Sequence, residues 1–353
     1  MKRIAVICEV MHPPFDEGIR IFAAELARAL SRSHQLLLVS EKEGELDGRT
    51  IHGALTDRYF LSRSLADLLH GFGPDGVVYI PWTSLTARTI VRTWALRRYA
   101  PGARIGLVTL QPRPVDLLSR VLSMRKGPDI VMSTGPSAQD QARRLGMPTA
   151  RIATGVDHSR FRPASPEQRA ELRRRANIDP DRFVVLHVGH LKESRNVGVL
   201  ARIAGLTGVS CLLVASTSTV ARQELAERLR QSGVTVMTHH QDRIEFAYRL
   251  ADAYLFPVTS PLDAIEMPLS VLEAAACGLS IVSTPFGGLP DLLGDGARWV
   301  RTPDEMVEAI ESLAQEKRGS AAAAGARSKV EGQTWERVAA GVVAALEPPG
   351  GVR

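Results

Sequence analysis

The stretch Ser260–Leu293, SPLDAIEMPLSVLEAAACGLSIVSTPFGGLPDLL, packs carboxylates, turn residues and a small-residue helix into one short run. Pro261 and Pro268 break regular structure, Leu269–Cys277 has the composition of a helix, Gly278 stands where that helix stops, and Ser280–Ser283 is a β-branched strand. The first N–H groups of a helix have no intrahelical partner and attract an anion. Glu273 lies one helical turn beyond Leu269. Together they suit a ligand that carries both a phosphate and hydroxyl groups.

Strands and helices must hold that stretch in place, and their order is legible. Arg3–Cys8 reads as a buried strand, EVMHPPFDEG as a loop, Ile19–Ser31 as a helix with Ile19, Phe22, Ala23, Leu26 and Leu30 on one face, and Gln35–Ser40 as a second strand. This is a β-α-β opening of a parallel sheet. Gly18 at the loop-to-helix junction lets a ligand approach the backbone, but the three-glycine dinucleotide fingerprint is absent, so a dehydrogenase is not supported. Gly76–Ile80, Ile105–Leu110 and Asp129–Ser133 continue the series. Ligands collect at the carboxyl ends of such strands, which draws attention to His12, to Pro81–Ser84, to Thr109–Pro112 and to Thr134–Ser137. Each is equally readable as a plain connection.

A short strand at Ile152, a glycine turn and a polar run to Pro163 read as a domain junction. Beyond it the alternation restarts with strands at Phe183–Val188, Cys211–Ala215, Val234–Met237, Ala253–Phe256, Ser280–Ser283 and Ala297–Arg301, and the loop Gly189–Asn196 (GHLKESRN) follows the first of them. Two Rossmann-like domains result. Boundaries are expected at 1–162 and 163–335, with 336–353 a helix and tail crossing back to the first domain.

The chain has 353 residues, enough for two cores, and a net charge of +6. No apolar run approaches the ~18 residues of a spanning helix, and MKRIAVICEV is too short in its apolar part for a signal peptide, so a cytosolic protein is expected. Cys8, Cys211 and Cys277 sit in apolar contexts and read as buried reduced thiols. Between Pro81 and Lys126 nine Lys or Arg (Arg88, Arg92, Arg97, Arg98, Arg104, Arg113, Arg120, Arg125, Lys126) face one acid, Asp116, with Trp82, Trp94, Leu117, Leu118, Val121 and Leu122 interleaved. That segment reads either as a membrane-surface element or as a solvated arginine-rich face. No nucleic-acid-binding motif accompanies it.

GVDHSRFRP, VGHLKESRN, ADAYLFPV, MPLSVLEAAACGLSIVSTPFGGLPDLL and a late TWERVA, in that order, resemble the retaining glycosyltransferases of family four, of GT-B fold. The resemblance is dense from Gly155 to Ala340 and thinner before. It implies an α/β protein with two Rossmann-like parallel-sheet domains facing across a cleft, a nucleotide-sugar donor on the C-terminal one and an acceptor on the N-terminal one. By that resemblance Glu273 takes the ribose hydroxyls, which suits a carboxylate that can accept from two vicinal O–H groups. Ser270, Val271 and Leu272 lie by the donor phosphates. Gly189 and His190 form the turn below them, and Arg195, helped by Lys192, stabilises the leaving diphosphate. The acceptor side falls to His12, Glu17, Gly18 and Gln111. No metal ligand set or cofactor is implied, the nucleotide sugar being a co-substrate.

Three positions depart from the family pattern. Eight places before Glu273, where a first glutamate is usual, stands Ile265; either Glu266, one place late, or Asp263 takes over the donor-sugar contact, or the contact is absent. His190 replaces the usual arginine, and Gln111 an N-domain histidine that can carry a proton. A glycosyltransferase using a UDP-sugar first, a GDP-sugar second, and a lipid-linked or small-molecule acceptor is the leading expectation, with a peripheral place at an anionic membrane surface. A non-catalytic nucleotide-sugar or partner binder and a nucleotide-sugar epimerase stay open beside it.

Overall fold

Among the described residues, 1–124, 127–216, 223–316 and 321–348, fourteen short strands build two sheets in the computed structural model. The chain divides into two units: Met1–Gly155, Ile265–Met267 and Trp335–Arg353 form one, Val156–Ala264 and Pro268–Thr334 the other. The division falls before 162 because the Val156 N–H donates to Gln333 O (3.0 Å) and Val156 bridges to Thr334, tying 156 onward to the second unit.

The first unit holds β1 (Arg3–Ile7), β2 (Gln35–Ser40), β3 (Gly44–Leu46), β4 (Arg49–Gly53), β5 (Gly76–Tyr79), β6 (Arg104–Thr109), β7 (Ile130–Ser133) and β8 (Thr149–Arg151), in the order β3-β4-β2-β1-β5-β6-β7-β8. All neighbours are parallel except β3 and β4. That hairpin is not among the expected elements. Its signal is Asp47-Gly48, at φ 50° and 78°, the residue pair that tolerates the left-handed backbone a tight hairpin needs. β8 likewise ends where a strand at Ile152 was expected to start. Helices α1 (Gly18–Ser31), α2 (Arg63–Phe72), α3 (Ala87–Tyr99), α4 (Leu117–Ser123) and α5 (Pro136–Arg144) make the connections. β1 is buried from Ile4 onward because strands cover both its edges and helices its faces. The helix Trp335–Ala345 packs on α1, with Trp335 edge-on to Phe22 at 5.5 Å.

The second unit is an all-parallel sheet of β9 (Phe183–Gly189), β10 (Val209–Ala215), β11 (Val234–Met237), β12 (Ala253–Phe256), β13 (Ser280–Ser283) and β14 (Ala297–Trp299), ordered β11-β10-β9-β12-β13-β14. Its helices begin with α6 (Pro166–Arg175), α7 (Val199–Ala204), α8 (Gln223–Gln231), α9 (Glu245–Leu250) and α10 (Leu269–Ala276). α6 is pinned by Arg173, buried among Asp252, Leu250 O, Pro180 O and Arg182 O. A guanidinium this deep is tolerable because its charge is paired and its donors are used. All three cysteines are buried and free, and burial holds each thiol above its usual range. Among the described residues no helix is long and apolar enough to cross a membrane.

Candidate functional site

At the carboxyl end of β9 the chain turns through Gly189 into a 3-10 turn at Glu193–Arg195. Arg195 is buried, donating through Nε (2.8 Å) and Nη2 (2.6 Å) to Asp263 O, while Nη1 lies so close to Gly189 that a Cβ there would overlap it. A side chain at 189 would displace the guanidinium from this place. Asn196, at φ 58°, donates from Nδ2 to Pro257 O (3.0 Å) and ties the loop to the end of β12. Lys192 is exposed and His190 half-buried.

Beneath the turn His187 is fully buried. Burial, with Arg195 nearby, pushes its imidazole down to about 4 against the opposing bond at Leu255 O. The ring is therefore neutral, with Nδ1 as donor to that carbonyl at 2.9 Å. Nε2 is buried without a hydrogen-bond partner.

α10 starts at Pro268, and no side chain caps it. The Val271 N–H is turned to Pro268 O (3.1 Å), and the side chains of Val271 and Leu272 are core, so these two enter any site by backbone alone. The Ser270 side chain bonds the Tyr254 phenol. Glu273 is half-buried, and its Oε2 accepts from the Tyr248 hydroxyl at 2.7 Å. Tyr248 and Tyr254 are absent from the expected site, since a tyrosine among apolar residues reads as core.

In the first unit the candidate acids have structural partners. Glu266 is 2% exposed, and its carboxylate accepts from Ser137 N (2.6 Å) and Ala138 N (3.0 Å), capping α5. The helix needs it, because its N-cap is Gly135, which has no side chain to offer. Gly135 in turn must lack one: a Cβ would overlap the Glu266 carboxyl. Beside the expectation that Glu266 meets the donor sugar stands this structural role: each of its oxygens already accepts one backbone N–H. Asp263, in the second unit, lends its carbonyl to Arg195. Ile265 is buried, 3.2 Å from where a Gly18 Cβ would stand. The start of α1 is likewise filled, because Glu17 Oε2 accepts from Ile19 N (3.1 Å) and Arg20 N (3.3 Å). His12 is nearly buried with Nδ1 3.1 Å from Pro13 O, and Gln111 Oε1 accepts from Arg113 Nη2 at 2.9 Å.

Glu9, unanticipated, sits buried at the end of β1, paired with Arg92 and accepting from Tyr79 Oη and Trp82 N, both at 3.2 Å. It anchors the loop after β5, where the Thr83 and Ser84 hydroxyls, like those of Ser133 and Thr134 at the end of β7, are buried without partners. The exposed apolar side chains on the connections leaving β4, β5 and β6 are Leu61, Trp82, Leu117, Leu118, Val121 and Met124. Leu117 is 77% and Met124 87% exposed, which no packed helix face would show. The basic segment is thinner than its composition: Arg92 is consumed by Glu9, Arg97 pairs with Asp129, and Arg125 and Lys126 lie outside the described residues. Among the described residues no three or more His, Cys, Asp or Glu come together as a metal site.

Residues 182–316 match the family model of glycosyl transferases group 1. The D-inositol 3-phosphate glycosyltransferase of Rhodococcus jostii is 30% identical over 241 residues, covering 61% of this chain and 51% of the relative. The chain thus spans about half the length of the curated relatives it matches. Among solved structures, Anabaena HepE in complex with UDP and glucose aligns with a TM-score of 0.73 at 15% identity, covering 98% of this chain and 99% of that one. Sucrose-phosphate synthase of Thermosynechococcus elongatus aligns at 0.76 and 18%, covering 98% of each. At such identities the likeness establishes the fold alone. The chain has the GT-B fold, and residues 182–316 within it match the group 1 glycosyl transferase model.

Proposed function

We propose that the protein is a retaining glycosyltransferase that moves a hexose from a nucleotide-diphosphate sugar to a lipid-linked or small-molecule acceptor, without a metal ion. The observation that carries this is the unit containing β9 and α10: a glutamate held half-buried in α10, a helix start with no side-chain cap, and a buried Arg195 against Gly189. Glu273 accepts the ribose hydroxyls. The N–H groups at the start of α10 other than that of Val271, which bonds Pro268 O, take the phosphates, and Arg195 with Lys192 offsets the charge that develops as the glycosidic bond breaks. UDP leads as the nucleotide, supported by the UDP in the HepE complex, and GDP follows.

The exposed apolar side chains, fringed by exposed Arg58, Arg63, Arg88 and Arg120, suit a peripheral place at the anionic inner face of a membrane, with the enzyme otherwise cytoplasmic. A second reading, nucleotide-sugar binding without turnover, is favoured by one observation: Ile265 stands at the family's first-glutamate position, and the neighbouring Glu266 carboxylate already caps α5.

Calorimetric titration with UDP, GDP and their sugars tests the donor site. Hydrogen bonds to a charged group contribute about 1.5–3 kcal/mol, so Glu273→Ala should weaken the nucleotide about 10- to 150-fold. If no nucleotide binds the wild type at millimolar concentration, the donor site is misassigned. Sugar transfer that persists in EDTA, with the product's anomeric configuration read by NMR, separates transferase from binder. Sedimentation with anionic vesicles at low salt tests the membrane surface: the wild type should pellet and Leu117→Glu/Leu118→Glu should not, and a wild type that stays in solution excludes it.

A further inference from the structure

Tyr248 closes the space behind Glu273 without facing solvent. Its ring is fully buried in α9, stacked on Tyr254 (centroids 6.0 Å apart, planes at 18°) and met edge-on by Phe161 at 5.4 Å. Tyr254 stacks in turn on His187 at 6.3 Å and donates from its phenol to Val188 O at 3.1 Å, one residue before the Gly189 turn. One aromatic stack therefore underlies both Glu273 and the turn that carries Arg195. Phenylalanine would meet the packing need at position 248; the hydroxyl is the added feature, and it lies 2.7 Å from Glu273 Oε2.

We propose that Tyr248 is a positioning residue for nucleotide recognition: its hydroxyl fixes the Glu273 carboxylate in the orientation that receives the vicinal hydroxyls of a ribose, without itself touching the ligand. This rests on the reading of Glu273 as the ribose acceptor. A free glutamate side chain loses rotamer freedom, up to ~2 kcal/mol, when it must order around a ligand. Here the ordering is done on folding, by a ring that its neighbours already immobilise, so less affinity is lost to it on binding. The direction of the bond is fixed. Burial first, and the Glu273 charge second, raise the Tyr248 phenol well above its ordinary range, so it stays protonated and donates to the carboxylate.

The test is calorimetric titration of the full chain with UDP and with 2′-deoxy-UDP, on wild type, Tyr248→Phe, Glu273→Gln and the double variant, and with GDP and 2′-deoxy-GDP if guanosine is the preferred base. Tyr248→Phe should weaken UDP about three- to tenfold while changing 2′-deoxy-UDP less, so that the preference for ribose shrinks. The double variant should bind UDP no more weakly than Glu273→Gln alone, because the two changes break one coupled unit. Tyr254→Phe is the control. It loses a hydroxyl from the same stack and should keep the ribose preference. The inference is overturned if Tyr248→Phe weakens both nucleotides equally, if the effects add in the double variant, or if Tyr248→Phe loses its cooperative melting transition. A wild type that binds no nucleotide overturns the donor-site reading itself, whereas a Glu273→Gln that loses ribose preference while Tyr248→Phe keeps it overturns the positioning role alone.

Discussion

The two units present the same architectural edge, the carboxyl ends of a parallel sheet, and furnish it in opposite ways. In the β9–β14 unit the polar groups at the edge are held by the protein's own groups: Tyr248 holds Glu273, Tyr254 meets Ser270, and Arg195 is braced on the Asp263 carbonyl. In the β1–β8 unit the acids serve the fold, with Glu9 on Arg92, Glu17 on α1 and Glu266 on α5, and what remains at the edge is hydroxyls without partners and exposed apolar side chains. A preorganised edge suits a ligand of constant chemistry, such as a nucleotide. An edge of hydroxyls and apolar surface can be retuned to a new partner without disturbing charges.

The most disruptive way to separate the two edges is to remove the cation of the first. Arg92→Met leaves Glu9 buried and unpaired, and stranding one member of a buried ion pair costs about 3–5 kcal/mol. Thermal and denaturant unfolding should show that loss, while the nucleotide affinity of whatever remains folded stays within about twofold of wild type. A large loss of nucleotide affinity at unchanged stability would mean that the first edge also serves the nucleotide, and the division of labour would be wrong.

Next in size is the pH response of the second edge. His187 is held down to about 4, against ~6.5 in an unfolded chain. Because the folded value is the lower one, the unfolded chain takes up a proton first as pH falls. Stability is therefore complete above ~6.5 and declines between ~6.5 and ~4, by about 3 kcal/mol. His187→Asn, which keeps a donor for Leu255 O but does not titrate, should flatten that part of the stability–pH curve. An unchanged curve would mean that His187 already titrates normally in the folded protein, and that the second edge is less sealed than its burial implies.

Glu266→Ala follows, expected to cost about 1–3 kcal/mol by leaving the Ser137 and Ala138 N–H groups buried and unpaired. Gly135→Ala should approach the same loss from the other side of the contact. If Glu266→Ala instead melts like wild type but changes the preference among donor sugars, Glu266 belongs with Glu273 and the contrast between the edges fails at that residue.

These residues also mark how far the sequence carries. The β-α alternation is legible because buried parallel strands need uninterrupted apolar runs, whereas Gly189, Arg195 and Glu273 enter as site residues through the family resemblance. Glu266 is opaque because its partners lie 129 and 128 residues earlier in the chain, and Arg92 because Glu9 lies 83 residues away. Whether a charge is free or spent is decided by tertiary neighbours that no local pattern encodes. Tyr248 is hidden differently: in α9 it has the spacing of a core residue, and it is one, apart from a single oxygen 25 positions from its acceptor.

Ser270→Ala carries the smallest expected effect and sharpens the contrast most finely. Its side chain is turned to the Tyr254 phenol, and the helix start needs only its backbone N–H for an anion. Alanine keeps that N–H and is the better helix former, so nucleotide affinity should change less than about twofold. Melting should shift little as well, since the Tyr254 phenol retains Val188 O as its acceptor. A tenfold loss of affinity would require the hydroxyl to reach the ligand itself. The second edge would then recognise the nucleotide through side chains at two positions of α10, and the uncapped helix start would count for less than the geometry of its first turn suggests.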